Sequence, residues 1–125
     1  MIYTSYYAQL SKIPKGKIPI AISLRVPIWY HGYTCKALAP SEELLFKWHR
    51  DENEKEYIEE YRRKLDKINA QEMVEKLSKQ VDNKDIVFLC YETPDKFCHR
   101  HVLAAWLNEN GIPCEELKFE SRKEK

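Results

Sequence analysis

The chain has 125 residues, enough for one domain with a real hydrophobic core. Its 21 basic and 20 acidic side chains leave a formal charge of +1, which argues against a general nucleic-acid or membrane binder, since those carry a basic excess overall or along one face. No apolar run approaches the ~18 residues that a membrane span requires.

In chain order, residues 1–6 predict a short strand, and Tyr7 to Ile13 a turn or so of helix that Pro14-Lys15-Gly16-Lys17 breaks. Ile18 to Leu24 predicts a second strand, with Pro19 near its start, where a missing N–H is tolerated. Residues 25–40 hold Pro27, Gly32 and Pro40 with Trp29, Tyr30 and Tyr33 between them, a long aromatic loop. Such loops either carry function or lay a lid of packing over irregular backbone. Three helices are predicted next. One starts at Pro40-Ser41-Glu42-Glu43, one at Asn53 with Glu56, and one at Asn69 with Glu72, each pairing a capping side chain with an acid in the first turn. The charge run from Glu59 to Lys64 reads as a solvated face.

Ile86 to Glu92 predicts a third strand, rich in Val, Ile and Phe, followed by Pro94-Asp95 as a turn with a helix N-cap and a helix over about 96–110. Asn110-Gly111 ends that helix, and Cys114 to Phe119 predicts a fourth strand at a sheet edge. Strands alternating with helices give a three-layer, Rossmann-like α/β domain over residues 1–119, with a mainly parallel sheet of about four strands. Residues 120–125 are a polar tail.

The third strand and its helix gather the chemistry. At about 100° per residue, Val102, Leu103, Trp106 and Leu107 form one helix face with His99 at its centre. Cys98 and Arg100 lie on its borders, and His101 points away. His99 thus faces either a crevice or the core, where it would be a histidine with a satisfied partner. The N–H groups of the first turn favour negative charge there. In parallel sheets ligands bind beyond the carboxyl ends of the strands, and those ends offer Thr4, Ser5 and Tyr6, then Ser23 and Arg25, then Glu92 with the Cys98–Arg100 turn. The expectation is an anion-accepting crevice, with Arg100, Arg25, Ser5, Tyr6 and Ser23 binding and Cys98, His99 and Glu92 as candidate catalytic groups.

Cys35, Cys90, Cys98 and Cys114 lack the spacing of a disulfide framework or a zinc knuckle. The opening Met-Ile-Tyr-Thr-Ser has no charged region leading into an apolar stretch. Cytoplasm is the expected compartment and free thiols the expected state. Cys90, inside an apolar strand, reads as a core residue.

At Leu89-Cys90-Tyr91-Glu92, followed after a short loop by Cys98-His99-Arg100-His101, Leu103 and Trp106, the chain resembles the family known as domain of unknown function 488. Ile2 to Tyr6, Ile20 to Ser23 and Leu38-Ala39-Pro40 share the resemblance, which spans roughly residues 1–118. It implies a small α/β fold and little about activity. Many members carry Asp-Val-Arg at the end of the second strand where this chain has Ser23-Leu24-Arg25, so only the arginine carries over.

Three readings follow. In the first, the protein is an enzyme acting on a phosphate-bearing small molecule, nucleotide or nucleic-acid end. Arg100 and Arg25 would hold the anion, Cys98 would be a helix-stabilised thiolate, and His99 or Glu92 would move protons. Strand, loop and helix follow the order of cysteine phosphatases, but the arginine position of that motif falls on Lys96 from Cys90 and on Ala104 from Cys98, which excludes that identity. The second reading is a binding or sequestering protein for the same ligands. The third is a metal site drawing on Cys90, Cys98, His99 or His101, with Cys98 and His101 three apart on a helix. The expected partner is a small anionic ligand or nucleotide, a nucleic acid being a further candidate. No cofactor and no membrane are called for, and the oligomeric state is not set.

Overall fold

The computed structural model describes residues 1–93 and 96–118. The predicted caps are realised at three helix starts. Ser41 accepts a hydrogen bond from Leu44 N, Asn53 from Glu56 N and Asn69 from Glu72 N. They open α1 (Glu42–Asp51), α2 (Glu54–Leu65) and α3 (Ala70–Gln80), each leaving an oxygen acceptor on first-turn donors that would otherwise face only water.

The sheet has five strands where about four were predicted: β1 (Ile2–Tyr6), β2 (Lys17–Ala21), β3 (Tyr33–Thr34), β4 (Asp85–Cys90) and β5 (Cys114–Glu116). Their order is β3-β2-β4-β1-β5, and every pairing is parallel. The added strand lies in the aromatic loop, where Tyr33 and Thr34 pair with Ile20 and Ala21. β4 sits at the centre, with Ile86 opposite Ile2 on one side and Ile18 on the other. Covered on both faces, its Ile86 to Leu89 are completely buried, and this explains a continuous apolar run instead of an alternating one.

Alternation along the strands divides the core. Ile2, Ile20, Ile22, Ile86 and Phe88 face all the α-helices, including α4 (His99–Glu109), whose Val102, Leu103, Trp106 and Leu107 are buried as predicted. Tyr3, Ala21, Val87 and Leu89 face the other way, against the 3-10 helix Tyr7–Lys12, Val26 and Tyr30. The second outer layer is thus a short 3-10 helix and a loop. Tyr30 is part of that packing: it is buried, and its hydroxyl donates to Tyr33 O at 2.6 Å.

α4 starts three residues later than predicted. Asp95, expected as its cap, lies outside the described residues, as do Pro94, Phe119 and the tail 120–125. Cys98 takes the cap position in extended conformation, with φ −154° and ψ 144°. Two tertiary contacts hold the preceding backbone out of the helix: Phe97 packs 4.8 Å from the Trp48 ring, and Cys98 reaches back to Cys90. The helix ends as predicted, with Gly111 at φ 79°, a left-handed turn that glycine adopts without penalty. No helix among the described residues is long and apolar enough to cross a membrane.

Truncating a fully buried side chain of α4 tests this core. Leu103→Ala is expected to cost about 2–5 kcal/mol, whereas Ile28→Ala, at a side chain 94% exposed, should stay within about 0.5 kcal/mol. Urea unfolding of the two variants measures the contrast.

Candidate functional site

A cavity of about 480 Å³ opens beyond the carboxyl ends of β2 and β4. One side is formed by Ser23, Leu24 and Arg25 after β2, the other by Cys90, Tyr91 and Glu92 at the end of β4. Pro40, together with Leu45, Trp48 and His49 of α1 and Tyr57 of α2, builds a wall; Phe97, Cys98 and His99 complete the lining. Trp48, Tyr57 and Phe97 form one aromatic cluster, with ring centroids 4.8–5.6 Å apart. Such tilted and edge-on pairs add stabilisation beyond simple area burial.

His99 is held in one tautomer. Its Nε2 lies 2.7 Å from the carbonyl oxygen of Ile22 and must therefore donate, leaving Nδ1 with a bare lone pair. Cys98 Sγ is 3.9 Å from that Nδ1. The Tyr61 ring stands edge-on to the imidazole at 5.4 Å. Burial pushes the His99 pKa down to about 4, and the Arg100 charge adds to the effect, while the bond to Ile22 partly opposes it. The ring is thus a neutral acceptor at physiological pH. The two alternatives for His99, crevice and core, are both realised: it is buried, its partner is satisfied, and it lines the cavity floor.

Cys90 and Cys98, expected as free thiols, are joined in a disulfide. Cys90 shares the helix-facing side of β4 with Ile86 and Phe88, and the loop brings Cys98 back above it. Cys35 and Cys114 are free and buried, and burial pushes the Cys114 thiol up to about 12. Cys90 also lines the cavity, so it is not purely a packing residue.

Arg100 departs furthest from expectation. Predicted at the rim, its side chain is completely buried. Nε and Nη2 donate to the two oxygens of Glu116 at 3.0 and 2.9 Å, and Nη1 donates to Glu92 O at 2.5 Å and to Cys90 Sγ at 3.1 Å. The Tyr6 ring lies 5.5 Å from the guanidinium, and Thr4 Oγ1 donates to Glu116 at 2.7 Å. A carboxylate from β5 has drawn the arginine beneath the floor, because a charge in the core needs a partner of opposite sign.

The remaining expected residues divide. Ser23 lines the cavity; its hydroxyl donates to Arg25 O at 2.6 Å and so accepts from Tyr7 OH, also at 2.6 Å. Arg25 lines the rim in an exposed ion pair with Glu42 at 3.3 Å. Glu92 lines the same cavity with its side chain exposed. Ser5 and Tyr6 are not in the lining. Ser5 is buried with its Oγ lacking a hydrogen-bond partner among the described residues, and the Tyr6 hydroxyl accepts from Gln9 Nε2. His101 is half-buried, and the Cys/His cluster that gathers on the floor is Cys90, Cys98 and His99, without His101. Leu45, Trp48, His49, Tyr57 and Phe97 also line the cavity, and none was expected there from the sequence. The one available signal was the breadth of the α1 face, where Leu44, Leu45 and Trp48 are flanked by a histidine.

Fold and cavity together define an α/β protein with a disulfide and an imidazole on the cavity floor at the strand ends. The family model DUF488-N3a, described as the active DUF488-N3 subclade, matches residues 12–111, and the chain belongs to this family. No curated protein and no solved structure matches it.

Two outcomes test the electrostatics. Glu116→Ala strands a buried guanidinium and is expected to cost about 3–5 kcal/mol in urea unfolding, with unchanged stability as the contrary result. For His99 the folded pKa lies below the ordinary value of about 6.5, so its contribution to stability is complete above that pH. It is lost as pH falls toward about 4, at up to ~1.4 kcal/mol per pH unit. An NMR titration of the His99 ring should accordingly show it neutral at pH 5.

Proposed function

We propose that the chain is an enzyme that takes a nucleotide-like anionic ligand into the cavity and, with the Cys90–Cys98 bond reduced, acts on it at the floor formed by Cys98 and His99. The observation that carries this is the placement of Cys98 at the cap of α4, beside the bare Nδ1 of His99, at the bottom of a cavity of about 480 Å³. That size is within the range of small-molecule sites, roughly 300–1,000 Å³. The description of the matching family model as an active subclade supports catalysis over simple binding.

The lining supports the ligand class. Trp48, Tyr57 and Phe97 offer aromatic surface for a planar ring, and stacking tolerates any base because each has a π face. Arg25 supplies a cation that can be recruited. Its pair with Glu42 is solvent-exposed, with side chains 77% and 79% accessible, and such pairs are worth little. A phosphate could therefore replace the carboxylate at small cost. Arg100 does not compete for this task, because Glu116 already occupies its fork. Its part is to fix Glu92 and the sulfur floor. Glu92, exposed on the lining, supports the reading as a carboxylate that can move a proton.

A thermal-shift screen of nucleoside monophosphates, sugar phosphates and inorganic phosphate tests the reading. Ligand at 100 times its Kd adds about 2.7 kcal/mol, so a clear rise in Tm is expected for a nucleotide, and it should be lost in Arg25→Ala and Trp48→Ala. Turnover of the stabilising nucleotide should then disappear in Cys98→Ser and fall steeply in Glu92→Gln. A panel with no Tm response would overturn the assignment.

A further inference from the structure

Cys90 Sγ, Cys98 Sγ and a ring nitrogen of His99 lie within 4.8 Å of one another, Nδ1 being 3.9 Å from Cys98 Sγ, and all three residues are buried. The other ring nitrogen of His99 donates to the Ile22 carbonyl at 2.7 Å. This is how metal-bound histidines are held: a backbone acceptor on the non-ligating nitrogen fixes tautomer and ring angle, so the ligating lone pair is aimed in advance. Arg100 Nη1 donates to Cys90 Sγ at 3.1 Å, a charge-assisted contact that favours a thiolate there. We propose that, once the Cys90–Cys98 bond is reduced, these three atoms bind a thiophilic divalent ion, zinc foremost, with its fourth position open to the cavity.

The donor set fits. Two thiolates and one imidazole suit zinc in charge and softness, and three protein ligands with a vacant fourth place are the composition of reactive zinc sites, whereas structural sites are closed by four. The site balances its own charge, since two thiolates neutralise the ion and Glu116 already neutralises Arg100. The Cα atoms of Cys90 and Cys98 are 7.5 Å apart, wider than the roughly 5.5–6 Å at which direct disulfides cluster. Two sulfurs each about 2.3 Å from a shared ion span that distance readily. Glu92 lines the same cavity, where it can accept a proton from water bound at the open position.

Ion and disulfide exclude each other. A dithiol reductant gives two electrons and two protons to the S–S bond, becomes a disulfide itself and leaves two thiols on the chain. The ion then displaces both thiol protons to solvent. A small-molecule disulfide reverses the sequence: it takes up the two electrons and becomes two thiols, the Cys90–Cys98 bond re-forms, and the ion is expelled. The site shares Cys98 and His99 with the floor of the nucleotide reading and rests on that reading only for the reaction it would serve.

Cobalt(II) titration of the reduced full chain under nitrogen is the test. The expected result is saturation at one equivalent, with thiolate-to-cobalt charge-transfer absorption and the intense visible bands of four-coordinate cobalt, all bleached by zinc. Cys90→Ser and Cys98→Ser should each weaken binding by at least about tenfold and diminish the charge-transfer band, while Cys114→Ser leaves both unchanged. Because a variant can fail to fold, the wild type provides a second readout. Zinc should slow iodoacetamide alkylation of Cys90 and Cys98 by about tenfold or more and leave Cys35 and Cys114 at their zinc-free rates. A colourless reduced wild type, full colour in both serine variants, or no protection would each overturn the site. Nucleotide stabilisation without cobalt colour would overturn the ion and spare the ligand reading; colour without any nucleotide response would do the reverse.

Discussion

A guanidinium with no contact to solvent holds the functional end of this molecule together. Arg100, from the first turn of α4, reaches Glu116 on β5, the backbone after β4 and the sulfur of Cys90, with the β1 ring of Tyr6 beside it. Burying that charge costs several kcal/mol unless geometry and partners repay it, and here the carboxylate is met by both arms of the fork. Thr4 takes a further place on Glu116, which fixes the acid as firmly as the base. The ends of β4, β1 and β5 and the start of α4 are therefore positioned by one network. The sulfur and imidazole atoms of the floor inherit their spacing from it.

Above that network the cavity has two kinds of wall. Backbone ends of β2 and β4 supply polar groups and a fixed carbonyl, that of Ile22, against which His99 is set. The other wall supplies aromatic rings, since Trp48 and Phe97 pack on the buried Tyr57 at the edge of the core and line the cavity with it. Polar groups that orient and apolar surface that desolvates are the usual division of labour in a ligand site. His99 belongs to both parts, with one nitrogen tied to the sheet and the other facing the sulfurs.

What was legible in the sequence follows from the range of the interactions involved. Ser41, Asn53 and Asn69 announced their helices because a cap bonds only three residues ahead. The burial of Val102, Leu103, Trp106 and Leu107 followed from periodicity alone. The strand at Tyr33 and Thr34 was hidden because it is held by the distant Ile20 and Ala21 and not by its own propensity. Arg100 was expected at a border because the helical wheel contains no Glu116. The late start of α4 depends on Phe97 and Cys98 finding partners in other elements, and the α1–α2 wall of the cavity depends on how helices dock. Local chemistry found Cys98, His99, Glu92, Ser23 and Arg25, which line the cavity. Non-local packing decided which charges remained available around them.

The sheet's margins have a consequence of their own. β3 is two residues long and β5 three, on either side of the longer β2, β4 and β1. A strand from another molecule approaching either border would find only a couple of main-chain groups to zip onto, and long ladders are what seed intermolecular β assembly. Among the described residues, brevity at the fringes thus keeps the intensely apolar middle strand flanked by edges that offer little ladder to a second chain.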